Sequence, residues 1–145
     1  MNLSVNPKQL YEMARSSTAE GRAFSFIAKG DSMRPFIKNG QQVTIIAKDR
    51  YAPGDIVLAH TSDPDGIFLH YLTGETINND PSDYLLMGSA NLRQREKAYL
   101  CDIAGAVINP TCNRHLLMLW HRLLPLRPLL IRLINIVSRA RHKSR

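Results

Sequence analysis

The sequence has no long apolar run. Its longest stretch free of Asp, Glu, Lys and Arg is residues 103–113, well short of the roughly eighteen residues that a membrane-spanning helix requires. A transmembrane helix is excluded on that ground. The first residues reach Lys8, Glu12 and Arg15 without an apolar core, so no secretory signal is legible and a cytoplasmic protein is the expectation. Cysteine is scarce. Cys101 and Cys112 have neither a metal-ligand spacing nor the makings of a disulfide framework, and they read as half-buried thiols in a reducing compartment. No metal site and no cofactor are expected. Acidic residues are missing from one end: Arg114 to Arg145 hold 8 basic side chains and no Asp or Glu, whereas residues 1–113 hold 11 basic and 12 acidic ones. The whole of the net +7 charge therefore belongs to the tail.

What remains is enough for one core. The chain has 145 residues, 44% of them hydrophobic and 21% charged, which points to a single compact domain with appendages. Residues 1–23 read as a leading helix, opened by Asn6-Pro7, carried by Leu10, Met13 and Ala14, and closed by Gly21. Short apolar runs follow at 24–28, 42–47, 56–59, 67–72, 84–87 and 103–108, separated by turn residues such as Asn39-Gly40, Pro53-Gly54-Asp55 and Asp63-Pro64-Asp65-Gly66. Six strands without long intervening helices predict a mostly β, barrel-like domain over 24–113. In the tail, 114–145, one helix near 115–124 would gather Leu116, Leu117, Leu119, Trp120, Leu123 and Leu124 on one side, with His115, His121 and Arg122 on the other. A second, near 129–140, would gather Leu129, Leu130, Leu133, Ile134, Ile136 and Val137. Pro125 and Pro128 are expected to break the tail between them.

The stretch richest in chemistry is Gly30-Asp31-Ser32-Met33-Arg34-Pro35. A serine in such a turn is exposed rather than paired into a ladder, and its own amide can face the same site as its hydroxyl, as a nucleophile with an oxyanion hole requires. Gly30 allows a substrate backbone to approach, Met33 adjoins it, and Pro35 stiffens the turn. A structural serine in a Gly-Asp turn is the plainer alternative. His70, a strand histidine, can serve as both base and acid near neutrality.

Five segments in order resemble the signal peptidase and SOS-repressor superfamily of serine peptidases. They are Gly30-Asp31-Ser32-Met33-Arg34-Pro35, Pro53-Gly54-Asp55-Ile56-Val57, Ile67-Phe68-Leu69-His70-Tyr71, Leu86-Met87-Gly88-Ser89-Ala90-Asn91 and Asp102-Ile103-Ala104-Gly105-Ala106-Val107. The resemblance implies a signal-peptidase-like β domain and a serine endopeptidase that matures a peptide or protein precursor, with Ser32 as nucleophile and His70 as base. Bacterial signal peptidases and SOS-type repressors use lysine as the base, yet no Lys occurs between Lys48 and Lys97. Ser89 stands where the family has aspartate, and Tyr71 where it has arginine. A group to orient His70 must then come from Glu96 or Asp102, either of which is alternatively a surface charge, and Asn91 is a supporting residue of the same box. Further implied are substrate contacts from Gly30, Met33 and Pro35. The alternative function is a non-catalytic binding or dimerisation module, although 31 residues before Ser32 are too few for a helix-turn-helix domain. For the tail, nucleic acid is disfavoured because phosphates do not bury leucines. An anionic membrane surface, at the inner face of the membrane, a partner protein, or the tail's own domain all remain open.

Overall fold

The computed structural model describes residues 5–76, 83–90, 94–123 and 126–143. Helix α1 covers Pro7–Ala19, with the Asn6 side chain accepting the Lys8 N–H at 3.0 Å and proline in the first turn. Gly21, at φ 76°, turns the chain away at its end. Its inward face is Tyr11, Ala14 and Thr18, while Met13 is exposed. The buried stripe is thus rotated from the expected one, because Tyr11 and Thr18 have polar tips to place. Tyr11 Oη donates to the Asp102 carbonyl at 2.8 Å and Thr18 Oγ1 to the Ala104 carbonyl at 2.6 Å, which pins α1 to the sheet.

Seven strands form one antiparallel sheet: β1 Phe24–Ile27, β2 Gln42–Ile46, β3 Ile56–Ser62, β4 Asp65–Leu72, β5 Asp83–Met87, β6 Arg95–Tyr99 and β7 Ile103–Asn109, in the order β1-β2-β7-β3-β4-β5-β6. The fold is mostly β, as expected from the sequence, with one more strand than the sequence predicts. β6 was hidden because Arg95, Lys97 and Tyr99 alternate outward and only Glu96 and Ala98 turn in. It is an edge strand, yet it returns toward β3: the Lys97 N–H donates to the Asp63 carbonyl at 3.1 Å. The β3–β6 half thereby curls around Val57, Ala59, Leu72, Leu86 and Ala98. Ile56 and Leu58 point the other way, into a second cluster with Val43, Ile45, Tyr71 and Met87 under α1. Both faces of β3 are buried, which is why its residues read as an unbroken apolar run. In β7, a Cβ on Gly105 would lie 2.7 Å from the Ile46 carbonyl oxygen, so the strands can approach this closely only with glycine there.

A short 3-10 turn, Leu100–Asp102, joins β6 to β7, and its Cys101 is exposed rather than half-buried. Cys112 is half-buried, and burial pushes its thiol up. Helix α2, Arg114–Arg122, is capped by Asn113, whose Oδ1 accepts the His115 and Leu116 N–H groups. Helix α3, Arg127–Lys143, begins before Pro128 rather than after it, because a first-turn proline has no helical N–H bond to lose. No helix among the described residues is long and apolar enough to cross a membrane.

Candidate active site

The segment between β1 and β2 makes the first half of the site. Gly30, at φ 89°, reverses the chain and donates its N–H to Asn39 Oδ1 at 2.9 Å. Asp31 then closes a turn, accepting the Arg34 N–H on its carbonyl and Arg34 Nε on its carboxylate. Met33 and Ile37 are buried beneath this turn, and the Phe36 and Ile37 amides both donate to the Met33 carbonyl at 2.9 Å. Ser32 is left at the rim, half-buried, with its carbonyl accepting the Ala90 N–H at 2.8 Å. Among the described residues its own N–H has no acceptor.

His70 comes from β4. Its Nε2 lies 2.9 Å from Ser32 Oγ, and its Nδ1 lies 2.8 Å from Glu96 Oε2. The carboxylate can only accept, so Nδ1 carries the proton and Nε2 presents a lone pair to the serine hydroxyl. His70 is 3% exposed and Glu96 0%. Glu96 is therefore no surface charge: the inward alternation of β6 takes it into the curled half of the sheet. Its Oε1 has no hydrogen-bond partner among the described residues, and a carboxylate buried to this degree is costly to fold. Phe68, two residues before His70 on the same strand face, packs its ring 5.2 Å from the imidazole.

Asp102 is not brought to His70. It lies in the 3-10 turn, where its carbonyl holds Tyr11, and both imidazole nitrogens already have partners. Asn91 lies outside the described residues. Ser89, in place of the family's aspartate, is buried and donates to the Arg34 carbonyl at 2.7 Å. Tyr71, in place of arginine, is buried with its hydroxyl 2.7 Å from His121 Nδ1. His121 thus faces the domain and not the polar side of the tail. Three residues that sequence reasoning did not assign to the site frame it. A Cβ on Gly88 would come within 2.7 Å of the Ser32 carbonyl oxygen and 3.1 Å of His70 Nε2. Trp120 donates its indole N–H to the Ser89 carbonyl at 2.8 Å and meets Phe36 edge-on. His121 completes this clamp. The lone tryptophan on an amphipathic helix was the available signal, since a buried indole N–H needs an acceptor.

A cleft of about 220 Å³ opens at Ser32 and His70. It runs between residues 26–30, at the free edge of β1, and residues 67–70 of β4, where β4 is not paired to β5. Gly30 and Met33 line it, and Phe26, Ile67 and Leu69 make it apolar. Pro35 does not line it. It lies on the other side of the turn, facing α3 across a second cavity.

Residues 3–75 match the model of a family described as Peptidase S24-like. The chain belongs to this family. The match takes in Ser32 and His70 and ends before β6, so the partner of His70 is visible only in the geometry. No curated protein and no solved structure matches the chain. Family membership makes this a peptidase-like domain.

Proposed function

We propose that the protein is a serine endopeptidase in which Ser32, His70 and Glu96 act in line. The observation that carries this reading is the continuous path from Ser32 Oγ through both His70 nitrogens to a fully buried carboxylate. A binding module has no use for that arrangement: a fully buried glutamate costs stability, and an apolar residue in its place would not.

An extended peptide of a precursor lies in the cleft, where the free edge of β1 and the unpaired stretch of β4 offer backbone hydrogen bonds on both sides. Ser32 Oγ attacks the scissile carbonyl as His70 Nε2 takes its proton. Glu96 holds the resulting imidazolium by its Nδ1–H, and the Ser32 N–H donates to the oxyanion. His70 then returns the proton to the leaving amine, and the acyl group on Ser32 is released by a water that His70 deprotonates in turn. Phe68 and the burial of His70 keep bulk water from the base. The apolar lining of the cleft suits an uncharged, small-to-medium side chain beside the scissile bond.

A serine-directed fluorophosphonate tests the site without a known substrate. Labelling is expected on Ser32, lost in Ser32→Ala, and slowed at least about a hundredfold in His70→Ala. No labelling of the folded wild type, or labelling indifferent to His70, overturns the reading.

A further inference from the structure

The two tail helices are both amphipathic, but neither turns all its apolar residues inward. α2 buries Leu117 and directs Trp120 and His121 to the domain, while Leu116, Leu119 and Leu123 remain exposed. α3 presents Ile131, Ile134, Asn135 and Ser138 to the back of the nucleophile turn, across a cavity of about 400 Å³ shared with Arg34 and Pro35. At 100° per residue, Leu129, Leu133, Ile136 and Val137 fall on the opposite side of that helix, within a stripe about 100° wide. They are 52–63% exposed. The helix therefore packs by its mixed face and shows its most apolar face to the outside, the reverse of what a helix serving only its own core does.

Charge selects what covers this face. Arg132 and Arg139 flank the stripe on one border by the same helical spacing, and Arg114 to Arg145 hold 8 basic residues and no acidic one. A second copy of the tail would bring like charges together with no carboxylate in the tail to meet them. A bilayer with anionic headgroups satisfies both properties, taking the leucine and isoleucine side chains to acyl depth and the arginines at the headgroup level. We propose that the outer face of α3, supported by the exposed leucines of α2, docks the protein onto an anionic lipid surface. The proposal is independent of whether Ser32 is catalytic.

The test is co-sedimentation of the full chain with vesicles of phosphatidylcholine alone or with about one-third phosphatidylglycerol, at low and high salt. Wild type is expected to partition at least about tenfold better onto the anionic vesicles. Arg132→Gln with Arg139→Gln lowers that partitioning about 25-fold, from about fivefold per charge at the surface, and the difference closes as salt screens it. Leu133→Glu with Ile136→Glu, at exposed positions that leave the packed face intact, abolishes binding while fluorophosphonate labelling stays at the wild-type level. Equal partitioning onto both vesicle types, no partitioning, or retention by the Leu133→Glu/Ile136→Glu protein overturns the proposal. A dimer in sedimentation velocity that this variant dissociates, without vesicle binding by wild type, assigns the face to a second copy and overturns it equally.

Discussion

Two histidine–carboxylate contacts of the same length, 2.8 Å, stand at the two ends of the β3–β4 hairpin. His60 meets Asp65 beside the turn, with the two side chains 46% and 82% exposed. His70 meets Glu96 near the other end of β4, the first almost wholly and the second wholly buried. Geometry does not distinguish them; solvent does. At the turn, water solvates both partners whether or not they touch, so the contact adds little and either partner can leave at small cost. In the interior, each partner depends on the other, the imidazole is fixed in one tautomer, and the lone pair that faces Ser32 is set by a proton held on the far nitrogen. On the proposed mechanism, His70 is directed as a base by burial of its partner more than by its own position.

The comparison is broken most strongly at Glu96. Glu96→Gln keeps the shape but lets the side chain donate to Nδ1, turning the imidazole to the wrong tautomer. Turnover of a cleavable precursor is expected to fall about 10³–10⁴-fold, while thermal unfolding occurs at the same temperature or higher, because a buried charge is removed and a hydrogen bond to Nδ1 is kept. A large drop in unfolding temperature would show that the carboxylate serves the fold. Gly88→Ala comes next: the added Cβ forces the Ser32 carbonyl and the His70 ring apart, so turnover falls about a hundredfold and the urea midpoint reports a loss of about 1–3 kcal/mol. Trp120→Phe retains an aromatic ring against Phe36 and deletes the donor to Ser89. It should lower stability by about 1 kcal/mol in the same measurement. His60→Ala sharpens the other side: less than about 1 kcal/mol of stability is lost, and Ser32 labelling is unchanged.

The parts of the candidate site that were legible in the sequence are those where local chemistry and position agree. Gly30 needs its positive φ, Ser32 follows in a turn, and His70 lies within the apolar run 67–72, whose last three residues are buried. What was not legible depends on pairing between distant strands. Arg-Glu-Lys-Ala-Tyr, residues 95–99, has the composition of a solvated loop, and only its seat beside β5 makes Glu96 an interior residue. Asp102 was the second candidate in sequence, and what separates it from Glu96 in the structure is that β6 turns Glu96 inward while Asp102 sits in the 3-10 turn. In the tail the leucine pattern gave the helices but not the division of their faces. That division is decided by Leu117, Trp120 and His121 finding a hydrophobic seat, a carbonyl and a hydroxyl on the β domain, none of them sequence neighbours.

Among the described residues, β6 is the last strand on its side of the sheet, hydrogen-bonded along its length to β5 and tied back by a bridge to Asp63. Edge strands open at lower free energy than the strands between them. Each such opening takes Glu96 into water and leaves Ser32 and His70 with no acid behind them, although the sheet is otherwise intact. The lifetime of the Ser32–His70–Glu96 arrangement is therefore the closed lifetime of this edge, and amide exchange at Ala98, not global unfolding, is its clock.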